Sequence, residues 1–214
     1  MKKRLIFLGL VGAAVAAGIA QNEAVSKAEQ PKYDVLESHG TIEIRQYDPT
    51  VVAEVEIAGD QKEALETGFR VLAGYIFGKN QSNQTYSTQK IAMTAPVSQQ
   101  KSEKIAMTAP VTAEAHGSIW KIRFTMPSQY SLATLPQPKD ERIHLMEVAG
   151  ETVAALRFSG LANQKDMEKK AEELETFLIK NNKKSLGEPV HAYYNPPWTL
   201  PFLRRNEVLI KLST

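Results

Sequence analysis

No cysteine occurs anywhere in the chain. Its absence excludes a disulfide framework, thiolate metal ligation, a cysteine nucleophile and lipoprotein attachment, so the fold must be held by its hydrophobic core alone. Histidine is sparse as well. His39, His116, His144 and His191 are the only four, and no two stand at the i, i+4 spacing that brings two imidazoles to one metal on a helix. None sits beside a serine-nucleophile, phosphate-loop or dinucleotide-glycine motif, and the carboxylates are scattered, so no catalytic constellation is expected. Charge of one sign is lacking too. Lys2, Lys3 and Arg4 account for three of the 26 basic residues, and without them 23 basic residues face 24 acidic ones. That balance gives no electrostatic footprint for nucleic acid, which is not expected as a partner.

A membrane-length apolar run is missing in the same way. Leu5 to Ala20 is uncharged, but its 16 residues fall short of the roughly 20 that a spanning helix needs. Preceded by Lys2, Lys3 and Arg4, the segment 1–20 reads as a signal peptide. Gly18 and Ala20 suit cleavage before Gln21, Ala14 and Ala16 offer an earlier site, and an N-terminal anchor is the alternative. The expectation is an exported protein, periplasmic or secreted, that meets a membrane only if this leader stays uncleaved. Residues 21–32 are mostly polar or small and read as a flexible linker. Residues 33–214 read as one domain, long enough to bury its own core.

What the chain does have is a repeated word. Lys-Ile-Ala-Met-Thr-Ala-Pro-Val fills both 90–97 and 104–111, a spacing too short for solenoid units. Ile91, Met93 and Ala95, then Ile105, Met107 and Ala109, fall at alternate positions. That pattern predicts two adjacent strands with an apolar face, each ending at its proline, with Ser98 to Glu103 as the turn and both methionines in the core.

Alternation also predicts strands over 41–47, 51–57 and 119–124, with Asp48-Pro49 as the turn between the first two. Ile143 to Val148 and Thr152 to Phe158, joined through Gly150-Glu151, predict a hairpin. Asp60 caps a predicted helix reaching about Phe77, where Gly78 stops it, and Leu65, Phe69, Leu72 and Ile76 mark its core face. Phe69, Ala73 and Phe77 form a second line along the same helix at i, i+4, i+8. A second helix, 164–180, buries Met167, Ala171, Leu174 and Leu178. Strands, helix and strands thus occur twice, predicting an α+β domain of two pseudo-symmetric halves.

The Met-Thr-Ala-Pro-Val word, the helix segment Gly68 to Ile76, the closing Tyr194-Asn195-Pro196-Pro197-Trp198 and the run Arg204-Arg205-Asn206-Glu207-Val208 together resemble the SOUL heme-binding family, from about Tyr33 to Leu212. The resemblance implies a distorted antiparallel β-barrel flanked by two helices, with heme or a related porphyrin as a non-covalent ligand. It makes the first helix one wall of the heme site, through Phe69, Arg70, Ala73 and Phe77. The family's strand histidine falls on Gln46, which speaks against histidine ligation there. Two basic helix positions of the family fall on Glu66 and Gly74, leaving Arg70 and Lys79 as substitutes.

Tyr193 to Phe202 concentrates aromatics and prolines, a stiff segment that suits a lid over a flat ligand through Tyr194, Pro197, Trp198 and Phe202. A loop packing its own rings on the core is the alternative. Arg204 and Arg205 face opposite ways on a strand, one free for a heme carboxylate and the other for Glu207. No metal site is expected beyond His191 as a weak candidate axial ligand. The expected function is an exported heme- or tetrapyrrole-binding carrier, buffer or scavenger and not an enzyme, binding by apolar contact and arginine–propionate pairing. The alternative is a module for another hydrophobic small molecule or a protein partner.

Overall fold

The computed structural model of the protein describes residues 28–81 and 102–213. The leader and the first copy of the repeated word, Lys90 to Val97, lie outside the described residues. In chain order the elements are β1 (Tyr33–His39), β2 (Ile42–Tyr47), β3 (Thr50–Ala58), α1 (Gln61–Ile76), β4 (Asn80–Gln81), β5 (Val111–His116) and β6 (Ile119–Thr125). They continue with β7 (Gln137–Pro138), β8 (His144–Val148), β9 (Thr152–Phe158), α2 (Gln164–Lys180), β10 (Ser185–Tyr193) and β11 (Asn206–Leu212).

Nine strands form one antiparallel sheet in the order β1-β2-β9-β11-β10-β5-β6-β3-β8, and β4 pairs with β7 apart from it. A β-α-β-β unit occurs twice, as β3-α1-β5-β6 and β9-α2-β10-β11, and the two copies meet at the central β5–β10 pair, where Ala113 lies opposite His191. These are the two halves predicted from the sequence. Each has its own core on the helix side of the sheet. Ala53, Val55, Ile122 and Phe124 pack with Leu72 and Ile76 of α1. Ile44, Leu156, Val208 and Ile210 pack with Met167, Leu174 and Leu178 of α2. In both, alternate strand residues meet one stripe of a helix, as periods of 2 and 3.6 require. Capping matches as well: Asp60 accepts from Glu63 N at 3.0 Å and Asn163 from Asp166 N at 3.0 Å, each satisfying a helix-end donor.

The predicted hairpin of 143–148 with 152–158 is not formed. β8 pairs with β3, whereas β9 lies between β2 and β11. Instead β2–β3 and β8–β9 are two long bent runs facing each other in one continuous register. Gln46 is opposite Thr152, Thr50 is opposite Val148, and Tyr47 N donates to Glu151 O at 2.9 Å between them. Gly150 makes this passage possible, because a Cβ there would stand 2.6 Å from the Tyr47 carbonyl. One ladder therefore borders both ends of the strand order, which bends the sheet round toward a barrel that stays open.

The second copy of the repeated word is likewise not a strand up to its last residue, Val111, where β5 begins. Its backbone and hydroxyl groups are spent on three different elements and cannot enter a ladder. Ile105 N donates to Ile76 O at 2.8 Å, Ala109 N to Glu29 O at 3.0 Å, and the Thr108 hydroxyl to the Thr125 carbonyl. Ile105 and Ala109 are buried as expected, but Met107 is 39% exposed and is not a core residue. Of the expected linker, residues 28–32 differ from a free chain. Ala28 packs on Ala109, Ala192 and Tyr194, Glu29 accepts from Ser128 N, and Lys32 O accepts from Asp48 N.

Candidate functional site

Gly68 sets how closely α1 lies on the sheet, since a Cβ there would come within 2.5 Å of Ile122 Cγ1. With the helix seated so low, the line Phe69, Ala73, Phe77 stands at its shoulder. Phe69 meets Phe124 edge-on at 5.5 Å and remains 39% exposed, Ala73 is 9% exposed, and Phe77 is 61% exposed. Phe124, Val111 and Tyr193 are successive cross-strand partners, so this shoulder stands over the end of the sheet where β10 runs into the aromatic loop. That loop, 194–205, carries Trp198 at 67% and Phe202 at 70% exposure, with Pro197 also exposed. Pro201 O accepts from Gly160 N at 3.0 Å, tying the loop to the β9–α2 connection, where Leu161 is exposed. Exposed apolar residues this large are costly to leave in water, and four of them are rings, two on α1 and two on the loop.

Two of the predicted site residues, Tyr194 and Arg204, do other work. Tyr194 is 6% exposed and its hydroxyl donates to Glu207 Oε2 at 2.8 Å. Glu207 is fully buried and also receives Arg45 Nη1 at 2.8 Å, Arg45 Nη2 at 3.1 Å, Arg205 Nε at 3.0 Å and Arg205 Nη2 at 2.8 Å. Burial raises the Glu207 carboxyl, but Arg45 and Arg205 outweigh it and hold the group below its ordinary range. The same burial, with Glu207 alongside, pushes the Tyr194 phenol well up. Arg205 also lies over the Tyr194 ring at 3.9 Å. Tyr194 thus plugs the sheet face turned away from the helices. Arg204 folds back on its own loop, donating from Nε to Thr199 O at 2.7 Å and from Nη2 to Pro197 O. It is the staple that stiffens the loop, while Arg205 takes the Glu207 partnership foreseen for one of the pair.

Arg70, next to Phe69 in sequence, is exposed and makes no ion pair among the described residues. His191 lies on the opposite footing. It is 6% exposed, its Nδ1 is 2.7 Å from Gln61 Nε2, and its ring is 5.9 Å from that of Trp120. Burial lowers its pKa to about 4, so the ring is neutral and accepts the Gln61 proton through Nδ1. Gln46 spends its amide locally, accepting from the Thr152 hydroxyl at 2.7 Å and donating to Tyr47 O at 3.3 Å.

His191 and Gln46 are thus committed within the fold. His39 and His116 are paired with Glu37 and Glu114, His144 is exposed at the start of β8, and the Met107 thioether is 39% exposed. Among the described residues no three His, Asp or Glu side chains gather as a metal would need, and no helix is long and apolar enough to cross a membrane. Sequence reasoning found the exposed rings. It missed Arg45, whose partner Glu207 stands 162 positions away, and Gln61, the partner of His191, with no local signal for either pairing.

The model of the SOUL heme-binding protein family matches residues 28–211. Heme-binding protein 2 of Homo sapiens is 29% identical over 200 residues, covering 89% of this chain and 89% of its own length. Heme-binding protein 1 of Mus musculus is 28% identical over 200 residues, covering 89% of this chain and 96% of its own. Among solved structures, the C-terminal domain of EcmrR superposes with a TM-score of 0.55 at 8% identity, covering 85% of this chain and 98% of that one. A hydrolase from Listeria innocua superposes with a TM-score of 0.53 at 10% identity, covering 83% and 94%. At such identities these two share the fold and nothing more.

Proposed function

The chain belongs to the SOUL heme-binding protein family, and from that premise we propose that it is an exported carrier, buffer or scavenger of heme or a related tetrapyrrole, and not an enzyme. The observation that carries the reading is the exposure of four rings: Phe69 and Phe77 on α1, Trp198 and Phe202 on the loop. A planar macrocycle offers two apolar faces, and rings held on a packed helix and a stapled loop lose little freedom on meeting them. Arg70 is the cation of this region left for a propionate, since Arg204 is committed to backbone carbonyls. When bound, the tetrapyrrole would supply light absorption and, with iron, redox chemistry. The protein's part is to cover a face of the ring and to pair its acid groups.

The test is a titration with heme and with metal-free protoporphyrin side by side, followed by absorbance and by quenching of tryptophan fluorescence. Both are expected to bind, because the ring contacts need no iron. Phe69→Ala and Trp198→Ala are each expected to weaken both ligands by several-fold, at roughly 0.5–1.5 kcal/mol per aromatic contact. Binding of heme alone, or affinity indifferent to both substitutions, would overturn the reading and leave the ring cluster to another apolar ligand or a protein partner.

A further inference from the structure

On a helix, two residues are separated by about 200°, so the stripe Thr67, Val71, Tyr75 of α1 looks nearly opposite to Phe69, Ala73, Phe77. That far flank borders a cleft of about 240 Å³, closed on its other side by Asp140, Arg142 and Ile143 from the β7–β8 connection. Its two walls are tied together. Tyr75 Oη donates to Pro136 O at 2.7 Å, Lys139 N to Lys79 O at 3.2 Å, and β4 pairs with β7 just beyond. The floor is apolar, made by Val71, the Tyr75 ring and the buried Ile143.

The rim is cationic. Arg142 grips Asp140 as a fork, Nε to Oδ1 at 2.9 Å and Nη2 to Oδ2 at 2.7 Å, and this pairing holds the Asp140 carboxyl at about 2. Those two charges cancel and leave Arg70 and Lys79, neither of which is ion-paired among the described residues. Glu66, one helical turn before Arg70, and Glu141, between Asp140 and Arg142, form no ion pair with them among the described residues. Lys79 is also aimed. Its stem lies along the helix over Gly74, where an added Cβ would sit 3.1 Å from Lys79 Cδ. The turn that ends α1 fixes its backbone, with Lys79 N donating to Gly74 O at 2.9 Å.

We propose that this cleft is a second ligand site, separate from the ring cluster, for a small organic phosphate monoester. Arg70 and Lys79 receive its two negative charges, and Val71, Tyr75 and Ile143 receive its carbon body. Two uncompensated cations match a dianion in number, and the guanidinium plane suits a tetrahedral oxyanion. An apolar floor rewards an ester with an organic group over inorganic phosphate. Arg70 is shared with the propionate pairing proposed above, and Trp198, which lies off this cleft, keeps the two sites separable experimentally.

Phenyl phosphate and inorganic phosphate serve as probes, titrated at low ionic strength into the full chain without porphyrin and followed by amide and methyl NMR shifts. Saturable shifts are expected at Val71 and Ile143, with phenyl phosphate binding roughly tenfold tighter than inorganic phosphate. Arg70→Ala and Lys79→Ala should each weaken phenyl phosphate roughly tenfold, and Trp198→Ala should leave it unchanged. The absence of saturation, equal affinity for the two probes, or affinity untouched by the Lys79 substitution would overturn the proposal. Because Trp198 lies off this cleft, Trp198→Ala is expected to weaken porphyrin and leave phenyl phosphate unchanged, so failure of one site is told apart from failure of the other.

Discussion

Acidification should weaken this protein through His191 in a way that one substitution can isolate. Folded, the imidazole is buried beside Trp120 and accepts from Gln61, and burial lowers its pKa from the ordinary 6.5 to about 4, with Glu168 opposing only in part. Between those values the unfolded chain binds a proton that the folded chain refuses. Stability therefore rises with pH across this window and is lost as pH falls through it. The gap between 6.5 and about 4, at about 1.4 kcal/mol per pH unit, amounts to about 3 kcal/mol. Urea unfolding of the natural chain and of His191→Gln at a series of pH values supplies the measurement. Carboxylates such as Glu207 titrate in both proteins, so the informative quantity is the difference between the two curves. That difference should shrink by about 3 kcal/mol in favour of the variant as pH falls from 6.5 to about 4. Parallel curves would refute the reasoning, because they would mean that the folded ring protonates as easily as a free one.

Three further substitutions test the framework of the site. Glu207→Gln leaves the buried Arg45 and the half-buried Arg205 without their shared anion and should cost roughly 3–5 kcal/mol in urea unfolding at neutral pH. Gly68→Ala drives a methyl into Ile122 and should destabilise by roughly 1–3 kcal/mol; in an Ile122→Ala background, which lacks the clashing atoms, the same substitution should cost less. Asp60→Ala removes the acceptor for Glu63 N and should lower the thermal midpoint by the equivalent of about 1 kcal/mol.

How much of this was legible in the sequence depended on whether the physics was local. α2 could be read to its buried residues, because Met167, Ala171, Leu174 and Leu178 recur with the helical period. The duplicated β-α-β-β order was legible for the same reason. The 143–158 stretch was not, since a glycine between two alternating runs is equally compatible with a tight hairpin and with a bent strand passing another chain. The choice was made by Tyr47 and Pro49, about a hundred positions away, against which Gly150 packs. Met107 misled in a similar way. Its alternation with Ile105 and Ala109 implied a strand, but the hydrogen bonds of that segment go to Ile76, Glu29 and Thr125, and a segment pinned at three unrelated points has no pleat to keep Met107 inward. In the loop, nothing in the order of Tyr194, Trp198 and Phe202 distinguishes the ring that plugs the sheet from the two that face water.

That distinction decides where a flat ligand has room. The sheet face turned from the helices is closed by Tyr194 and by an ion cluster centred on Glu207, and a buried cluster of this kind resists opening because any member pulled out leaves its partners unpaired. On the helix face, Leu72 and Ile76 in one half and Leu174 and Leu178 in the other are fully enclosed, and inserting a macrocycle there would require repacking at native density. Water-exposed rings at the sheet's end carry neither cost. Covering Phe69, Phe77, Trp198 and Phe202 recovers apolar surface that folding alone leaves wet, and the Arg204 staple means that the loop needs little further ordering to do so. On the function proposed here, affinity would rest on ring contact and loop stiffness more than on a metal bond, which makes metal-free porphyrin the sharper probe of this site than heme itself.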